Sequence, residues 1–144
     1  MKLLDVNVWL AAAWGRHAHH RIAKRYLDTE DDDLAFCRVT EMALLRLVTN
    51  PAVTRGDVRT RRQAWDLLIQ VQADPRVRFL AEPTGLAPLW IAFSKRDDTS
   101  HLLWTDDYLA AFAQAADADL VTLDQALDAR YPSVRVVTLR AAAS

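Results

Sequence analysis

The sequence predicts an α/β protein, a three-layer α/β/α sandwich around a central, mostly parallel sheet of about five strands. Short runs of branched apolar residues alternate with stretches of helical period, as crossover-connected parallel strands require. The first run, K-L-L-D-V-N-V-W-L from Lys2 to Leu10, is apolar on either side of one carboxylate, as in a strand buried on both faces. The chain has 144 residues, 51% apolar and 26% charged, with only three glycines. That composition fits one folded domain over residues 1–144 and excludes a disordered chain.

In order along the chain, the strand at Lys2 leads into a helical turn or two over Val8–Trp14, stopped near Gly15. A helix over Arg16–Leu27 follows, with Ile22, Ala23, Tyr26 and Leu27 at helical spacing. The acidic run Asp28, Glu30, Asp31, Asp32, Asp33 reads as a solvated turn. Leu34–Val39 is the second strand, and Thr40 is placed to cap a helix over Glu41–Val48 that ends at Asn50-Pro51. Gly56 and Asp57 open a further helix, closed by Asp74-Pro75, in which Trp65, Leu68, Ile69 and Gln72 share a face. Val77–Leu80 is the third strand, Pro83 and Gly85 mark a turn, and Leu86–Lys95 is helical. Thr105 caps a helix over Asp106–Ala116 with Leu109, Phe112 and Ala113 inward. Leu120–Leu123 is the fourth strand, Asp124 starts a short helix through Leu127, and Val134–Leu139 is the last strand. No repeat, linker or second domain interrupts this order.

No apolar stretch reaches the roughly 20 residues of a membrane span, and no secretory leader pattern opens the chain. Cys37 is the sole cysteine, which excludes an intrachain disulfide or a cysteine-based zinc site. A cytoplasmic location is the expectation. The net charge of −1 is misleading as a guide to partners. Setting aside the five acids of the run leaves 14 of the 19 acidic residues against 18 basic ones, so the remaining surface tolerates a polyanion.

Four carboxylates take equivalent places in this arrangement. Asp5 ends the first strand, Glu41 lies in the first turn after the second, Asp106 opens the helix before the fourth, and Asp124 ends the fourth. In a parallel sheet those places line one edge, where ligands bind. Acids brought together there cannot all stay ionised without a counter-charge. An all-oxygen acidic cluster suits Mg²⁺, with Mn²⁺ as the alternative, and the chemistry expected is phosphodiester hydrolysis by a metal-activated water.

The segments L-L-D-V-N-V-W-L, T-E-M-A-L-L-R-L-V-T-N-P, T-D-D-Y-L-A-A-F-A and L-V-T-L-D-Q-A-L, in this order, resemble the four acidic motifs of PIN-domain ribonucleases, and more narrowly the VapC-type toxins of toxin–antitoxin pairs. The resemblance runs from Lys2 to about Leu139. It implies Asp5, Glu41, Asp106 and Asp124 as catalytic ligands of Mg²⁺ or Mn²⁺, and endonucleolytic cleavage of tRNA, rRNA or mRNA leaving 5′-phosphate and 3′-hydroxyl ends. It also implies a homodimer and a VapB-type antitoxin, whose C-terminal segment blocks the site and whose N-terminal part binds operator DNA. The sequence departs from the family at Asp107, where a small residue is usual. Asp107 is either a spare ligand or a surface acid.

Other residues carry paired readings. Asn7 and Thr40, beside the acids, either orient the carboxylates or cap helices. Arg46 contacts a phosphate or an antitoxin carboxylate, or forms a surface ion pair. His17, His19 and His20 make a solvated or RNA-contacting patch rather than a zinc site, since only a lone His101 adds to them. Arg55, Arg59, Arg61 and Arg62 form a solvated helix face or guide RNA. Five tryptophans, Trp9, Trp14, Trp65, Trp90 and Trp104, belong to the core, with Trp14 and Trp104 the two candidates for stacking on a base. Against the enzyme stands a catalytically silent RNA- or protein-binding module. Against an aspartyl-phosphate phosphatase, a second enzyme class, it counts heavily that Asn7 stands where the second Asp is needed.

Overall fold

The computed structural model describes residues 1–141. Five strands, β1 (Lys2–Leu4), β2 (Leu34–Phe36), β3 (Val77–Phe79), β4 (Asp119–Thr122) and β5 (Val136–Thr138), form one sheet in the order β3-β2-β1-β4-β5. Every pairing in it is parallel. Eight helices connect and cover it: α1 (Val6–Ala13), α2 (His20–Thr29), α3 (Arg38–Val48), α4 (Pro51–Thr54), α5 (Arg61–Gln72), α6 (Leu86–Ser94), α7 (Trp104–Ala115) and α8 (Leu127–Arg130).

Strand alternation sorts the interior into two cores, one on each face. Leu3, Ala35 and Leu120 point toward α6, α7 and α8, where they join Leu109, Phe112 and Leu127. Leu4, Leu34, Phe36 and Val121 point the other way and pack with Val8, Trp9, Leu44 and Leu68 of α1, α3 and α5. Trp9 stacks on Phe36 with ring centroids 3.9 Å apart. With both faces covered, the architecture is the expected three-layer sandwich.

The strand starts follow the sequence closely, while several ends fall earlier than their apolar runs. Leu34–Val39 is strand only as far as Phe36, because Cys37 caps α3. Thr40 is therefore not the cap but the third residue of the helix, its hydroxyl accepting from the Cys37 N–H at 3.0 Å and donating to the Cys37 carbonyl. Thr105 likewise lies inside α7, which begins at Trp104. Gly56 and Asp57 do not open α5; they sit in a 3₁₀ turn over Arg55–Asp57. The start of α5 is set by Thr60 and Gln63, whose side chains each accept the other's backbone N–H, at 3.1 and 2.9 Å.

The acidic run is not a free solvated turn. Asp28 pairs with Lys24 within α2, Asp32 receives the N-terminal ammonium at 2.5 Å, and Asp33 receives Arg78. Arg76 adds hydrogen bonds to the Leu27 and Glu30 carbonyls. The run thus ties the end of α2 to the starts of β1 and β3.

Candidate active site

In the order β3-β2-β1-β4-β5 the connections leave β1 in both directions, so the crevice between β1 and β4 is the topological switch point of the sheet. Asp5, immediately after β1, and Asp124, two residues after β4, both stand at that crevice. Asp5 caps the chain's turn into α1 and is only 7% exposed.

One hydroxyl organises this corner. Thr122 Oγ1 donates to Asp5 Oδ2 at 2.9 Å, and accepts from the Asp124 backbone N–H at 3.0 Å and from Asn7 Nδ2 at 3.3 Å. A threonine hydroxyl has one proton and two lone pairs, so its capacity is filled. Asn7 also accepts the Leu123 N–H at 3.2 Å, fastening the end of β4 to the start of α1. Asn7 accordingly holds the carboxylates' surroundings in place. Thr40, by contrast, directs its side-chain hydrogen bonds to Cys37, and none of them reaches the four acids.

Asp106, in the first turn of α7, completes the group electrostatically. Burial pushes its carboxyl up to about 6, and the charges of Asp5, Asp124 and Asp107 push the same way, opposed by Arg130. Arg130 Nη1 reaches Asp106 Oδ2 at 3.3 Å from the end of α8. Asp5 is raised as well, first by burial and also by Asp124, although Thr122 and nearby backbone N–H groups favour its charged form. Asp106 thus feels the charges of Asp5 and Asp124, and the Arg130 guanidinium offsets them.

Glu41 is placed differently. It is buried at 5% exposure in the first turn of α3, with Oε1 on Arg38 Nη1 at 2.7 Å and Oε2 on Gln72 Nε2 at 2.5 Å. None of its hydrogen bonds joins it to the other three acids. Arg38 in turn lies over the Phe79 ring, 4.6 Å from its centroid.

Asp107 is not a surface acid. It is 7% exposed and accepts a short hydrogen bond from the Tyr131 hydroxyl, so it fastens α7 to the end of α8. Arg46 is exposed on α3 beside Thr49 and Trp65, and no hydrogen bond or ion pair of the four acids involves it. His20 bonds the Ala11 carbonyl at 2.8 Å, and the His17 ring accepts from the His19 N–H. The histidines thus shape the α1–α2 turn.

Among the described residues no three His, Cys, Asp or Glu side chains form a ready-made ion cage. Two of the four acids are turned onto guanidiniums, Asp106 onto Arg130 and Glu41 onto Arg38. The donor set at the crevice nonetheless suits a hard divalent cation. It is all carboxylate oxygen, and the mutual repulsion of Asp5, Asp106 and Asp124 is what such a charge relieves.

A model of the PIN domain matches residues 2–131. The chain belongs to the PIN-domain family. It is 41% identical to ribonuclease VapC41 of Mycobacterium tuberculosis over 132 residues, covering 88% of this chain and 90% of that protein. It is 30% identical to ribonuclease VapC29 of the same species, with 94% of each chain covered. Among solved structures, VapC20 of M. tuberculosis, a toxin that cleaves the sarcin–ricin loop, superposes with a TM-score of 0.69 at 16% identity, covering 90% of this chain and 94% of that one. VapBC2 of Rickettsia felis, bound to promoter DNA, superposes with a TM-score of 0.67 at 14% identity, covering 96% and 98%. Both show the shared PIN fold.

Sequence reasoning named the four acids but missed Thr122, Arg38, Gln72 and Arg130. Thr122 stands inside the L-V-T-L-D segment, two residues before Asp124, where the alternation of a strand turns its side chain to the same side as that acid. That spacing is the signal that marks it.

Proposed function

We propose that this PIN domain, a single unit over residues 1–144, is a metal-dependent endoribonuclease and the toxin of a toxin–antitoxin pair. What supports the reading is the electrostatic coupling of Asp106 to Asp5 and Asp124 near the switch point, joined with 41% identity to a ribonuclease VapC over most of both chains. Asp5, Asp106 and Asp124 would hold the divalent cation, Mg²⁺ or Mn²⁺, and Glu41 would join them from α3 by turning off Arg38 and Gln72. When bound, the cation polarises a phosphodiester and lowers the pKa of water at the site. The chain's own residues supply the rest. Thr122 and Asn7 fix the Asp5 carboxylate and the β4 end. Arg130, already on Asp106, is placed to meet the charge of an incoming phosphate. A VapB-type antitoxin, a homodimeric state and a cytoplasmic location belong to the same reading; solved VapBC complexes share the fold, and no described helix is long and apolar enough to cross a membrane.

Incubating the purified protein with total RNA, with Mg²⁺ or with EDTA, tests the reading. Cleavage should require the metal and disappear in Asp5→Asn while thermal melting shows a folded variant. Metal-independent RNA binding with no cleavage by the wild-type protein would instead establish a silent binding module.

A further inference from the structure

A cleft of about 390 Å³ opens beside the acids, between the end of α6, the loop that follows it and the first turn of α7. Phe93, Arg96, Trp104, Asp107, Arg130 and Tyr131 line it. Two of these lining residues, Tyr131 and Asp107, are hydrogen-bonded to each other. Arg130 belongs to both places, since the side chain that borders the cleft also reaches Asp106. Trp104 is 56% exposed on the rim, with its backbone carbonyl anchored by Trp90 Nε1 at 3.3 Å. The half-exposed indole thus shares the cleft with two guanidiniums, Arg96 and Arg130, and with the Asp98 carboxylate.

We propose that this cleft is a nucleobase subsite, in which an unstacked base of single-stranded RNA next to the scissile phosphate lies against the Trp104 ring while Arg96 and Arg130 meet the flanking phosphates. The inference rests on the ribonuclease reading above and adds to it the form of the substrate. Aromatic faces accept any base by stacking, and guanidiniums track the backbone. The volume exceeds that of one base and lies within the range of small-ligand sites. A base can enter only if it is unpaired, so the site selects loops and single strands over duplex RNA.

The test uses full-length Asp5→Asn protein, which keeps RNA intact, and fluorescein-labelled eight-nucleotide RNAs: a single strand, its duplex, and single strands carrying one abasic position. Trp104→Ala in that background should weaken single-strand binding roughly ten-fold or more. Trp104→Phe should keep most of the affinity, and duplex binding should be weak and equal in all three proteins. One abasic position should reproduce the loss and leave Trp104→Ala without further effect, the sign of a coupled pair. Equal single-strand binding by Trp104→Ala and its parent overturns the subsite, as does an equal loss on duplex and single strand. If wild-type protein still cleaves RNA with Mg²⁺ in either case, the proposed function survives. Failure of the Asp5→Asn parent to bind any RNA, with no cleavage by wild-type protein, overturns both.

Discussion

Thr122 is the residue on which the site's geometry turns. It is fully buried, and its one hydroxyl serves Asp5, Asn7 and the Asp124 backbone together. Thr122→Val keeps the shape but strips a buried carboxylate and two donors of their shared partner. It should lower unfolding free energy by about 1–3 kcal/mol in denaturant titrations, and reduce RNA cleavage with it. Thr122→Ser, which restores the hydroxyl, should recover most of both. The four acids were legible because each follows a strand or opens a helix in a recognisable segment. Their detailed surroundings were not, because a hydrogen bond from Thr122 to Asp5 crosses 117 positions of sequence and leaves no local trace. The same holds for Tyr131 on Asp107, a buried pair hidden in an acid that sequence alone left between ligand and surface. Trp14 is a further case: its Nε1 donates to Asp57 at 2.8 Å, an anchoring bond of the α1 end with no sequence pattern behind it.

At the scale of the element, α5 shows where periodicity misleads. Trp65, Leu68, Ile69 and Gln72 fall on one helical face by spacing, yet Trp65 is 51% and Ile69 60% exposed. The face that packs inward carries Ala64 and Leu68 instead. Apolar residues at 64, 65, 67, 68, 69 and 71 cover so much of the helix that several faces fit the period, and only packing against α3 selects one. The distinction has a measurable form. Leu68→Ala should cost about 2–5 kcal/mol by opening a cavity, whereas Ile69→Ala should stay within about 0.5 kcal/mol, both read from chemical denaturation. Of the five tryptophans, Trp9 is the one fully buried in the core. Trp14 and Trp90 pack at the margins of the two cores, and Trp65 and Trp104 are exposed, differences that composition does not distinguish.

For the whole molecule, strand–helix alternation was enough to anticipate a parallel sheet and the edge where the acids meet, but not the strand order, which depends on which crossover passes over which face. The opposite end of the sheet is clamped by charge. Asp119 of β4 accepts from Lys2 Nζ of β1 at 2.6 Å and from Arg135 Nε, just before β5, at 2.7 Å. Those hydrogen bonds hold the Asp119 carboxyl below its ordinary value. A carboxylate whose folded pKa is depressed stabilises above its unfolded pKa, near 3.9, and that stability is lost as pH falls through the lower folded value. Melting temperature measured in metal-free buffer should therefore fall below about pH 4, with Asp119→Asn showing a shallower acid limb. Placing β1 at the centre has a consequence for truncated chains. β1 meets its partner β4 only across more than a hundred residues, so a chain cut short of residue 119 has no β4 to close the crevice where Asp5 stands.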